Sequence, residues 1–166
     1  MNTTDSNSLK DAARQASAPS PLSLGMRIGG NIPESSITPK KSLRILIVDD
    51  NVDAAEAMAM LQQYRGHETC VAHTGPEAVA IASGFLPEVV LLDIGLPDMD
   101  GYEVARRMRT LPEMEHVFLV ALTGYASDAD RRRAKEAGFD EHLSKPADLN
   151  LLREWLNSVP VGKSNI

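Results

Sequence analysis

Apolar residues fall in short dense runs separated by longer segments in which they recur every three or four positions, and this rhythm fills most of the chain. The runs are Leu43 to Val48, Glu68 to Ala72, Val89 to Leu92, Val117 to Leu122 and Phe139 to Leu143. Brevity, β-branched content and the lack of strict polar alternation predict strands buried on both faces, with Glu68 to Ala72 the weakest. The segments between them read as helices. Asn51 caps one that runs to about Arg65, with Ala54, Met58 and Leu61 on its inward stripe and Gly66 as its stop. Thr74 and Glu77 have capping-box spacing for a second, ending near Ser83. Val104, Met108 and Leu111 mark the inward stripe of a third, and Leu149, Leu152 and Leu156 line a closing helix that also carries Trp155. Strands alternating with helices predict an α/β fold: a doubly wound, five-stranded parallel sheet with helices on both faces.

Two stretches depart from this rhythm. Residues 1–42 are rich in Ser, Asn, Thr and Pro, and Pro19, Pro21, Pro33 and Pro39 interrupt any long element, so a disordered N-terminal extension is expected there. Within it Ser8 to Ser17 has the pattern of a short helix, marginal in isolation, and reads either as a partner-binding segment or as part of a flexible extension. The second stretch is the helix expected from Ser127 to Ala137. Its charged residues leave only Ala129, Ala134 and Ala137 to pack inward, and Gly138 ends it. So little apolar surface suits an element that moves on switching, and equally a plain solvated helix. The folded domain is expected over 43–158, with a short tail over 159–166.

A length of 166 residues suits one domain with a real core. The net charge of -6 argues against a direct nucleic-acid surface, which needs clustered positive charge. The run Arg131 to Arg133 reads foremost as a solvated charge run, and otherwise as a contact for an acidic partner or a dimer mate. A lone Cys70 has no partner for an internal disulfide and reads as a small buried hydrophobe, consistent with a cytoplasmic protein. No apolar run reaches the ~18 residues of a membrane span, and no signal-peptide pattern opens the chain, so membrane insertion is not expected.

Asp49-Asp50, Asp93, Thr123 and Lys145-Pro146 each close one of the strand runs. All strands of a parallel sheet end on the same edge, so the topology itself gathers three carboxylates, a hydroxyl and an ammonium. Clustered carboxylates repel one another unless a cation or a proton intervenes. Magnesium suits such a shell, because it prefers oxygen ligands and keeps several waters alongside one or two carboxylates and a phosphate oxygen; Mn2+ is a substitute. Asp93, with a loop after it, is placed to act as the nucleophile and take a phosphoryl group as an acyl phosphate. The metal, Lys145 and the Thr123 hydroxyl then neutralise and position the transferring group. Singly, an Asp pair is an ordinary cap or solvated loop, Thr123 a strand-end threonine and Lys145 a surface lysine. Their joint placement carries the inference.

The order and wording of these pieces resemble the receiver domain of two-component response regulators. The matching text is Ile47-Val48-Asp49-Asp50-Asn51, then Val90 through Gly101, then Ala121-Leu122-Thr123-Gly124, and finally Leu143-Ser144-Lys145-Pro146. The resemblance runs from about Leu43 to Asn157. It implies the CheY-like, flavodoxin-like strand order 2-1-3-4-5 and a usually cis Lys145-Pro146 bond. It also implies that Asp93 is the phosphoacceptor, that Asp49, Asp50, Asp93 and the Gly95 main-chain carbonyl hold Mg2+, that Thr123 senses the phosphoryl group and that Lys145 pairs with it. The implied partners are a histidine kinase or histidine phosphotransfer protein as donor and a downstream protein as target.

Two positions depart from the commonest family pattern. A Tyr or Phe usually stands three residues before the lysine and couples phosphorylation to the distal face; here it is His142, either an alternative switch residue or a half-buried strand residue without that role. Gly95 stands where a side chain often shields the phosphoryl group, which leaves Tyr125 to modulate water access. His67, His73, His116 and His142 do not form a phosphotransfer helix motif. The expected function is a single-domain response regulator, phosphorylated with Mg2+ and only weakly self-dephosphorylating, acting through a partner or through onward relay. The alternatives are a detached hybrid-kinase receiver and a pseudo-receiver scaffold. An aspartate-nucleophile phosphatase of the haloacid-dehalogenase type needs a second Asp two residues after the nucleophile, and Asp93-Ile94-Gly95 lacks it.

Overall fold

The structure, a computed structural model, describes residues 41–125 and 127–160. The expected extension, apart from Lys41 and Ser42, lies outside the described residues together with its Ser8 to Ser17 segment, as does the tail from Val161 onward. The apolar runs form strands β1 (Arg44–Val48), β2 (Glu68–Ala72), β3 (Val89–Asp93), β4 (Phe118–Thr123) and β5 (Glu141–Ser144). They are all parallel, in the order β2-β1-β3-β4-β5. Between and after them run α1 (Val52–Tyr64), α2 (Gly75–Phe85), α3 (Gly101–Thr110), α4 (Asp128–Ala137) and α5 (Leu149–Ser158), with one 3-10 turn at Pro112–Met114. None of the helices among the described residues is long and apolar enough to cross a membrane.

Alternate residues of the central strands enter two separate cores. Leu46, Val48, Val90, Leu92, Leu119 and Ala121 pack with α2, α3 and α4. Ile45, Ile47, Val89, Leu91, Val120 and Leu122 pack with α1 and α5. Both faces of the sheet are therefore covered, which explains why the strand runs are almost continuously apolar. Val159 is buried with the second of these cores.

Several packing details differ from the sequence reading. Leu149, expected to line α5 with Leu152 and Leu156, is exposed, and Cys70 is only half-buried. The inward stripe of α1 is Ala55, Ala59 and Gln62, with Met58 and Leu61 half-buried and Ala54 exposed. Small residues at i and i+4 let this helix approach the branched side chains of the sheet closely, so its larger residues flank the contact instead of making it. On α4 the expected Ala129 is exposed, and only Ala134 and Ala137 are buried. Phe139 precedes β5 instead of opening it, and its ring packs edge-on to Tyr102 at 6.3 Å.

Arg109 ties the far ends of α3 and α4 together. Its guanidinium donates to the carbonyls of Met114, Glu115, Val117 and Gly138 and to Asp140 Oδ2, at 2.8 to 3.1 Å. Asp140 Oδ2 also accepts from Leu119 N. Gly138, at φ +103, is the left-handed C-cap of α4, and a Cβ there would lie 2.9 Å from Arg109 Cγ.

Candidate functional site

Each site residue sits where its strand runs out. Asp49 and Asp50 follow β1, and the turn they form is closed by Asn51, whose N–H donates to Asp49 Oδ1 at 2.9 Å while its side chain caps α1. Asp93 is the last residue of β3. Its Oδ1 accepts from Gly95 N at 2.8 Å, and the loop then folds back so that Gly101 opens α3 against the strand end. A Cβ on Gly101 would come within 2.6 Å of Ile94 Cα and 2.7 Å of Asp93 O, so only glycine permits that approach. Lys145 follows β5, and its N–H donates to Thr123 O at 2.7 Å.

The sheet edge brings the three carboxylates and the ammonium together. Lys145 Nζ lies 2.9 Å from Asp49 Oδ2 and 2.8 Å from Asp93 Oδ2, bridging residues 96 and 52 positions away. Asp49 and Asp93 are 4% and 8% exposed, whereas Asp50 is exposed. Two such buried acids need cationic partners nearby, because desolvation penalises unpaired charge. Partial burial pulls the Lys145 ammonium down, but its hydrogen bonds to Asp93 and then Asp49 outweigh that and hold it above the ordinary lysine value. The Lys145–Pro146 peptide bond is cis.

Oxygens of Asp49, Asp50 and Asp93 all lie within 4.8 Å of one another. Three hard oxygen donors grouped in this way suit one magnesium ion, which prefers oxygen ligands and keeps several waters.

Thr123 ends β4 beside this cluster, yet its hydroxyl is engaged by the Tyr125 main chain, donating to the carbonyl and accepting from the N–H at 3.1 Å. The expected grouping thus holds for the carboxylates and the ammonium, while the hydroxyl is bound within its own loop. Tyr125 is 85% exposed. His142, on β5 opposite Ala121, is half-buried and lines a narrow cleft with Ile94, Thr123, Tyr125 and Ala134. One neighbour of the site went unnoticed in the sequence. His73 follows β2, and its Nδ1 lies 3.0 Å from Asp49 O. The available signal was its position, since it too is the first residue beyond a strand on the same edge.

The family model of the response regulator receiver domain matches residues 45–157. The chain belongs to the response-regulator receiver domain family. This receiver domain is 38% identical over 110 residues to the response regulator PleD of Caulobacter vibrioides; the match covers 64% of this chain but spans only 24% of PleD. It is 30% identical over 114 residues to the polar-differentiation response regulator DivK of Brucella ovis, covering 69% of this chain and 93% of DivK. Among solved structures, the receiver domain of the sensor histidine kinase PA1611 of Pseudomonas aeruginosa has a TM-score of 0.65 and 28% identity, with 72% of this chain and 98% of that one covered. That structure holds a magnesium ion coordinated in its active-site cleft.

Proposed function

We propose that this receiver domain accepts a phosphoryl group on Asp93 from a histidine kinase or a histidine phosphotransfer protein and signals through a protein-binding face that changes with phosphorylation. The observation that carries the reading is the Lys145 ammonium held between Asp49 and Asp93, with the Asp50 carboxylate beside them. Asp49, Asp50, Asp93 and the Gly95 carbonyl would hold Mg2+, which when bound supplies positive charge to the equatorial oxygens of the transferring group. An Asp93 oxygen attacks phosphorus while the phosphorus–nitrogen bond of the donor phosphohistidine breaks and its electron pair returns to the imidazole. No general base is needed, because the ionised carboxylate is already the attacking form.

After transfer, Lys145 keeps its ion pair with the new anionic group, and Thr123 exchanges its bond to the Tyr125 carbonyl for one to a phosphoryl oxygen. That exchange moves the loop leading into α4, the helix with the least apolar anchorage, and His142 lines the cleft into which the loop would settle. The groove between α4 and β5, of about 390 Å3 and edged by Arg131, Lys135, Glu141 and His142, is the face we assign to the target protein. Gly95 leaves the acceptor open: a Cβ there would make ordinary contact with Asp93 Oδ1 at 3.5 Å, so its absence favours water entry, and the exposed Tyr125 would modulate that entry only by moving inward.

The deciding measurement is intact mass after incubation with acetyl phosphate, with and without Mg2+, for wild type and Asp93→Asn. A gain of one phosphoryl group in wild type alone, and only with Mg2+, is the expected result. An equal gain in Asp93→Asn would move the acceptor elsewhere.

A further inference from the structure

We propose that His73 is a positioning residue for the magnesium site, acting through the peptide group that joins Asp49 to Asp50; the proposal rests on the metal reading above. The atom it meets is a carbonyl oxygen, which only accepts, so at 3.0 Å the His73 ring must present Nδ1–H as the donor. That carbonyl belongs to the Asp49–Asp50 peptide plane. Holding it fixes the direction in which the chain leaves Asp49 and therefore where Asp50 projects.

Asp50 depends on this more than its neighbours do. Asp49 has both carboxylate oxygens occupied, Oδ1 by Asn51 N and Oδ2 by Lys145 Nζ, and its own N–H donates to Ala72 O at 3.1 Å. Asp93 is likewise held through both oxygens, by Gly95 N and Lys145 Nζ. Asp50 is exposed, so the backbone carrying it sets its place in the cluster. His73 is itself anchored: its N–H donates to Glu77 Oε2 at 2.8 Å, and the next residue, Thr74, caps α2 by accepting from Glu77 N at 3.2 Å. The β2–α2 turn is thereby a rigid mount, and the imidazole carries that rigidity across to the acidic turn. Removing groups that orient metal ligands from behind in this way typically weakens metal affinity by about 10- to 100-fold.

The test is calorimetric titration of the full chain with MgCl2 for wild type, His73→Phe and His73→Asn, with thermal midpoints recorded without metal. Phenylalanine keeps a ring but has no donor, whereas the Asn side-chain amide nitrogen stands at the same bond separation from Cβ as Nδ1 and restores one. The expected result is a Kd for Mg2+ raised on the order of tenfold in His73→Phe and brought back toward wild type in His73→Asn, with midpoints alike. A His73→Phe affinity equal to wild type would overturn the proposal, as would equal weakening in both variants, which would make ring bulk the cause. Wild type that takes up no Mg2+ removes the metal reading and this proposal together, whereas wild-type binding with an unaffected His73→Phe removes this proposal alone.

Discussion

Helices α3 and α4 are both ten residues long and pack on the same face of the sheet, yet they are held by different means. From α3, Tyr102, Val104, Ala105 and Met108 are buried in the core. From α4 only Ala134 and Ala137 are, and the helix is kept in place by polar devices at separate points. Ser127 accepts from Asp130 N at its start, and Gly138 with the Arg109 clamp secures its end. Midway, Arg133 stacks 4.6 Å over the Tyr102 ring and stands 3.8 Å from Asp100. Apolar burial is spread over a whole helix face and is lost only if the face is exposed. Point contacts can be broken one at a time, so a helix held by them shifts at low cost. The element that follows directly on the Thr123 loop is thus the one whose attachments are discrete.

The largest difference between the two helices is expected when a core side chain is removed from α3. Met108→Ala should cost about 2–5 kcal/mol through lost burial and the cavity left behind, whereas Ala134→Gly in α4 should cost about 1 kcal/mol, chiefly through helix propensity. Urea denaturation of both variants reads the difference, and equal losses would show that α4 is as firmly anchored as α3. Arg109→Met comes next, at about 2–4 kcal/mol, because it takes a charged donor from several partly buried carbonyls at once. Equilibrium unfolding measures that loss, and hydrogen exchange should show α4 amides near Ala137 opening before those of α3. Arg133→Ala should have the smallest effect on stability, about 0.5–1 kcal/mol, since its side chain is 59% exposed and loses one cation–π contact and a long ion pair. Amide exchange over Asp128 to Ala134 should still rise in that variant while Val104 to Met108 stays protected; unchanged α4 exchange would leave the end contacts as its real restraint.

Much of this molecule was legible before folding. The five strands, their helices and the caps at Asn51, Thr74 and Gly138 follow from local chemistry, because capping and strand propensity are properties of a few adjacent residues. The site was legible for a different reason. A parallel sheet converts the phrase "just after a strand" into "on this edge", so Asp49, Asp50, Asp93 and Lys145 could be grouped from sequence without any distance. His73 obeys the same rule, but a histidine that contacts a main-chain carbonyl carries no motif that would single it out.

What the sequence determined by itself was therefore the set of elements, the family and the residues at the sheet's carboxyl edge, all of which depend on order along the chain. Tertiary structure alone decided which face of α1 turns inward, that Ala129 is left in water, that Thr123 bonds to its own loop, and that Arg109 gathers carbonyls from segments far apart in sequence. Those outcomes turn on how closely two surfaces approach and which carbonyl lies within about 3 Å of a donor. Such distances are set by packing across the whole domain, and no short stretch of sequence encodes them.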